Sequence, residues 1–422
     1  MQFPRLPVLS FRESRFSQEK FASLVLSFVL AVGMSVFCAL GPALAATDPF
    51  SVQFAAKPEH VILYIIDGLS YKTWARTDLP ILKRMIGSGA LVEKSYLPPS
   101  EHPVQGPYAE IHSCSIPNPV MMAGTLFLTK ETEYFPQGLF PKRTTAFVAN
   151  TENYSSLNRF YHYSYQKLGP DPEGIDMALE FMKLGRPTFM RLHLQEVGEA
   201  SFQILFLKDV VPWRRNIWAK GSPYLAMLKQ ADDLLGRFLR GLEGQGILER
   251  TALVIMGDHG EADTGYHPPE SRDAAITSIV LWGAGIKKGV KIPYAEQIDV
   301  IPTICALLET DPPKTSQGRV IGESLSHFSG KIPPRKTLFI SMLDQFEEFR
   351  VKEAEVSFRL TNLVSPEISR LYRDFGNIKM DFYGIDKFIE WPKFKRLEDL
   401  LENNRRAVDR MSSFLDEIRK IK

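Results

Sequence analysis

Cysteine is scarce in this chain: there are three among 422 residues, and only Cys114 and Cys305 lie beyond residue 45. One such pair excludes a disulfide framework, so a protein of this length must rest on its apolar core. A dominant charge is missing too. Lys and Arg number 51 against 49 Asp and Glu, a formal net charge of +2. No basic field is available to track a nucleic-acid backbone, and nucleic acid is not expected as a partner. Internal repeats and low-complexity tracts are absent. What is present is ordinary for a globular chain, with 44% hydrophobic and 24% charged residues.

The long apolar run sits near the start. Arg5, Arg12, Arg15 and Lys20 precede the stretch from Phe21 to Leu40, and Pro42-Ala43-Leu44-Ala45 then offers small residues for cleavage. Residues 1–45 read as a signal peptide, with an uncleaved N-terminal anchor as the alternative. The expected location is therefore outside the cytoplasm, periplasmic or secreted, or held at the inner membrane by the uncleaved segment. That segment is the only membrane contact expected. A lipid attached at Cys38 is excluded by the bulky Phe37 before it. Cleavage removes four of the 51 basic and two of the 49 acidic residues, leaving 47 of each sign.

Beyond the leader, the runs Val61–Ile66, Thr144–Ala149, Thr188–Leu194, Ala252–Met256 and Ile276–Trp282 are almost wholly apolar and rich in β-branched residues. Such runs suit strands buried on both faces of a sheet. Helical spacing intervenes, clearest over Ser222–Leu242. Alternation of this kind predicts an α/β fold, a three-layer α/β/α sandwich with a mainly parallel central sheet. A catalytic domain is expected over 46–330. A C-terminal extension over 331–422 ends in an amphipathic helix, marked by Leu397, Leu400, Leu401, Val408, Met411, Phe414, Leu415 and Ile418, and packs on the main domain.

The chemistry concentrates at three places. Asp67 follows a strand and precedes Gly68, Asp258-His259-Gly260 follows another strand, and His267 comes shortly after. A lone Asp-Gly is an ordinary turn. Adjacent carboxylate and imidazole at a strand end are harder to explain as packing, and they match a divalent metal, zinc first, with Mn2+, Mg2+ or Ca2+ as alternatives. Ser115, followed by Ile116-Pro117-Asn118, marks a helix start whose free N–H groups favour an anionic ester. Its hydroxyl needs activation to attack, which a bound ion supplies.

In this order, Asp67-Gly68, Ser115-Ile116-Pro117-Asn118 and Gly257-Asp258-His259-Gly260 resemble the alkaline phosphatase superfamily. The branch they resemble is the type I phosphodiesterases and nucleotide pyrophosphatases, related to sulfatases and phosphoethanolamine transferases. The resemblance spans 58–325 and includes TSIVLWGAGIKKG at 277–289 and IDVIPTICALL at 298–308. It implies an alkaline phosphatase-like fold in which Asp67, Asp258, His259 and the Ser115 oxygen hold one ion, Asn118 donates to an ester oxygen, and His267 serves a second ion. The implied substrate is a small-molecule, lipid or nucleotide phosphoester.

One departure matters. The resemblance implies an Asp-x-x-x-His pair after a middle strand, and the matching stretch places Gly198 and Phe202 there. Glu196 or Glu199 as substitute ligands in a shifted register, a single-ion enzyme, or a binding relative with a dead second site are the alternatives, so one or two ions are expected. His193, inside the strand, reads as a core histidine. A sulfatase built on formylglycine is excluded because Pro119 stands where the required Arg would be and Cys114 is out of register. Trp213, Arg214, Arg215 and Trp218 form an aromatic and basic cluster that could clamp an anion or simply pack. The expected activity is cleavage of a phosphate diester by a metal-activated serine. The alternatives are a non-catalytic or transferase relative that binds an anionic head group, or a phosphomonoester or sulfate ester hydrolase.

Overall fold

A computed structural model of the chain describes residues 48–97, 135–139, 141–151, 154, 158–208, 210–269, 271–314, 316–332, 337–394 and 396–421. Ser115, Asn118, Cys114 and the leader lie outside the described residues. Nine strands form one sheet: β1 His60–Ile66, β2 Ala90–Tyr96, β3 Thr145–Ala149, β4 Tyr163–Gln166, β5 Phe189–Leu194, β6 Thr251–Met256, β7 Ile276–Gly283, β8 Val290–Ile292 and β9 Ala295–Glu296. Their order is β4-β3-β5-β1-β6-β7-β2-β8, with β9 also on β2. From β4 to β6 every pairing is parallel, and only β7 runs against its neighbours. Each apolar run of the sequence is a strand, and the wholly buried β1, β5 and β6 are central.

Helices on both sides explain why these strands are buried on both faces. Strand β1 turns Ile62, Tyr64 and Ile66 toward α1 (Pro80–Ser88), α2 (Asp171–Gly185) and α4 (Pro223–Gly244). It turns Val61, Leu63 and Ile65 toward α5 (Val300–Leu308) on the opposite side. The result is a three-layer α/β/α sandwich with apolar cores on both faces. Helix α4 starts on Ser222, whose hydroxyl accepts from Tyr224 N–H, with Pro223 in the first turn. A third core joins α6 (Leu338–Asn362), α7 (Ile368–Asp381) and α8 (Leu397–Lys420) to Tyr96, Ile276 and Ile298. The apolar stripe of α8 is buried in it, including Leu400, Val408, Met411 and Ile418. Among the described residues no helix is long and apolar enough to cross a membrane.

The eleven-residue helix α3 (Glu196–Phe206) follows β5 directly. Its first turn is held by the buried Asp171 carboxylate, which accepts from Gln195 N–H at 2.8 Å and Glu196 N–H at 3.2 Å. Burial pushes the Asp171 acid up from 3.8 to about 6, against those hydrogen bonds. The folded chain therefore keeps a proton that the unfolded chain has released between those two values. Stability should fall as pH rises through that window, by up to about 3 kcal/mol from this group. Asp171→Asn should flatten the unfolding free energy over the same range, as urea titrations at a series of pH values would show. Parallel profiles for the two chains would refute it.

Candidate metal and ester site

Two turns carry the site. Strand β1 ends and Asp67 follows, with Gly68 at φ +66, a left-handed conformation that glycine adopts without strain. Strand β6 ends two residues before Asp258. The turns are stitched together by Thr277 of β7, whose hydroxyl donates to Leu69 O at 2.7 Å and accepts from Gly257 N–H at 3.0 Å. Both carboxylates thus stand beyond the carboxyl ends of adjacent parallel strands, the usual site position in open α/β sheets.

Asp67, Asp258 and His259 form a buried group whose ligand atoms lie within 4.8 Å of one another. Asp258 is oriented by backbone. Its Oδ1 accepts from Gly68 N–H at 3.1 Å and His259 N–H at 3.0 Å, while the buried Oδ2 has no hydrogen-bond partner. Gln297 fixes the same residue from behind, donating to Asp258 O at 2.6 Å. His259 Nδ1 lies 2.9 Å from Gly260 O. With Nδ1 the donor, Nε2 presents its lone pair 3.7 Å from Asp67 Oδ1 and 3.5 Å from Asp258 Oδ2. Separations of this size fit donors sharing one ion at bonds of about 2.0–2.2 Å. The chemistry of the set fits a divalent cation.

Electrostatics point the same way. Burial first, then the Asp258 and Glu261 charges, push the Asp67 acid well above the carboxylate range. Glu261 is raised by burial as well, although Ser201 Oγ donates to it at 2.6 Å. Three buried acids crowd one place, and a dication there relieves their repulsion. Behind Asp67 runs a buried relay. Arg191 Nη2 donates to Tyr154 Oη at 2.7 Å, Tyr154 Oη bonds His193 Nδ1, and His193 Nε2 lies 3.3 Å from Asp67 Oδ2. Burial holds His193 neutral, its pKa pushed down to about 3. The residue read from sequence as a core histidine is buried, and it also touches the site.

The second-ion residues fare differently. His267 is buried, with its ring centroid 3.9 Å from that of His259. Gly198 lies against Asp67: a Cβ there would stand 1.7 Å from Asp67 Oδ1. The residue aimed at the site after β5 is Gln195, whose Nε2 donates to Asp67 Oδ2 at 2.7 Å and whose Oε1 has no hydrogen-bond partner. Strand β5 ends at Leu194, and Gln195, the first side chain beyond it, faces Asp67. The substitute ligands are not brought in. Glu196 accepts from Asp171 N–H and Gln230, and the exposed Glu199 from Gln203. Phe202 packs on Phe206 and Tyr266. Trp218 is a packing residue, bonded to Asp263 beneath Arg76. Sequence reasoning missed Gln195, Glu261 and Gln297. Glu261 had a signal in its place within the Asp258–His267 segment, whereas the two glutamines had none.

Sheet order, layers and the placement of the acidic group define an alkaline phosphatase-type α/β fold. Residues 134–310, somewhat under half of the chain, match the Sulfatase family model. Among solved structures it is similar to the phosphonate monoester hydrolase from Silicibacter pomeroyi, at a TM-score of 0.50 and 15% identity over 66% of this chain and 78% of that one. Among curated proteins it is similar to GPI ethanolamine phosphate transferase 2 from Debaryomyces hansenii, 27% identical over 31% of this chain and 16% of that protein. The protein of the same name from Candida glabrata is 24% identical over 38% of this chain and 22% of its own length. The chain thus spans about a sixth to a fifth of these relatives.

Proposed function

We propose that this chain is an exported, metal-dependent hydrolase that cleaves a phosphate diester through Ser115. The observation that carries the reading is the buried Asp67–Asp258–His259 group with its unpartnered Asp258 Oδ2. An ion held by these residues supplies a lowered serine pKa and neutralises charge gathering on the ester oxygens. Asp258 is held by two backbone N–H groups and Asp67 by Gln195, so neither needs to reorganise. Ser115 Oγ forms its bond to phosphorus as the bond to the leaving alcohol breaks, and that oxygen takes up a proton. Asn118 donates its amide to a non-bridging oxygen. Water then attacks the phosphoserine, the Oγ–phosphorus bond breaks, the serine regains its proton and a phosphomonoester leaves.

With Gln195 facing Asp67 and Glu199 bonded to Gln203, fewer than two tightly bound ions per chain are expected by elemental analysis. Zinc suits the donor set. Transfer to an acceptor alcohol in place of water is a second reading, favoured by the two curated relatives being transferases. Ser115→Ala should lower turnover of a chromogenic phosphodiester by at least roughly a thousandfold in metal-supplemented buffer, with metal content kept. Undiminished turnover sinks the mechanism.

A further inference from the structure

A patch of exposed rings and cations borders the site. At the end of α3, Phe202 is 43% and Phe206 60% exposed, with ring centroids 4.7 Å apart, and Val210 just beyond is 93% exposed. Two touching phenyl rings left largely in water give up much of the burial that would stabilise the fold, and such patches mark interaction sites. In the stretch of chain that follows, Lys208, Arg214, Arg215 and Lys220 are all exposed. Among the described residues none of these four has an ion-pair partner, whereas nearby Lys72 and Arg76 share Asp263. Between residues 200 and 231 the chain has five Lys or Arg and a single acid, Asp209. The segment is nonetheless folded. Arg214 N–H donates to Val211 O, Asn216 N–H to Trp213 O and Ile217 N–H to Asp263 O, each at 3.0–3.1 Å. Ile217 is fully buried, and the patch is therefore presented on a fixed base.

We propose that this face docks the protein on an anionic lipid surface. Apolar side chains reach the boundary of headgroups and acyl chains while the surrounding cations meet lipid phosphates, the combination that holds interfacial segments. Tyr266 links the patch to the site: its ring lies 5.3 Å from Phe202 and 4.1 Å from His267. Docking there would bring the lipid headgroups to the side of the site where Tyr266 and His267 lead in to His259. If the phosphoester reading also holds, the ester cleaved belongs to an amphiphile presented at that surface. Docking itself does not depend on that reading.

Asp48–Lys422 form one compact unit, so the test uses the chain from Ala46 onward, without the apolar leader. That chain should sediment with vesicles of phosphatidylcholine mixed with phosphatidylglycerol, and much less with phosphatidylcholine alone. Arg214→Glu with Arg215→Glu should weaken partitioning by roughly 30-fold or more, and the gap should close in high salt. Phe202→Ser, Phe206→Ser and Val210→Ser together should weaken it at least about tenfold. Metal affinity should be unchanged in both variants, which shows the site intact. Failure of the unsubstituted chain to sediment with the mixed vesicles overturns the proposal. So does its equal partition into both vesicle types, or equal binding by all three chains.

Discussion

Replacing Asp258 with alanine should abolish tight binding of the divalent ion and lower phosphoester turnover by roughly a thousandfold or more. The size of the effect follows from geometry. Asp258 offers the group a carboxylate oxygen that no hydrogen bond among the described residues satisfies, and its other oxygen is held by Gly68 and His259 N–H. No neighbour can take over, because Glu261 lies on the far side of His259, with Oε1 3.9 Å from its Nδ1. Saturating metal should raise the unfolding free energy of the unsubstituted chain by about 2.7 kcal/mol at a hundredfold excess over Kd, and leave the variant unmoved. Chelation should return the former to the level of its own metal-free form. A full equivalent of ion in the purified Asp258→Ala protein would remove Asp258 from the ligand set.

Gly198→Ala carries the second large effect, and its sign runs against local propensity. A glycine inside a helix costs about 0.5–1 kcal/mol relative to alanine, so helix α3 alone would gain from the change. The new methyl, however, would sit 1.7 Å from Asp67 Oδ1 and 2.6 Å from Cγ, distances no packing tolerates. Asp67 cannot step aside cheaply, since Gln195 and His193 grip its other oxygen. Overpacking of this kind costs about 1–3 kcal/mol. We therefore expect a net loss of stability together with at least a tenfold weaker metal affinity, measured by isothermal titration on folded protein. Unaltered affinity with raised stability would mean that Asp67 does not need its present orientation.

The two substitutions show which features of the site were legible in the chain. Asp67, Asp258 and His259 announce themselves because each follows a wholly apolar run, and a parallel sheet delivers strand ends to one edge whatever the details of packing. Gln195 and Gln297 were invisible, since a glutamine at a helix start has no preferred partner until the fold supplies one. Gly198 was seen but misread. Its meaning is steric: it gives Asp67 the room to turn into the group, while the side chain aimed at the site belongs to position 195.

The sequence by itself determined the layered α/β architecture, the positions of the central strands and the placement of Asp67, Asp258 and His259 just beyond strand ends, because strand burial and turn chemistry act over a few residues. It did not determine the reversed sense of β7, the relay from Arg191 to Asp67, or the dispersal of Glu196 and Glu199 to other partners. Those depend on which distant residues meet across the sheet. Tertiary structure alone decided that Asp67, Asp258 and His259 meet in one buried group and that the Gln195 amide faces Asp67 beside it.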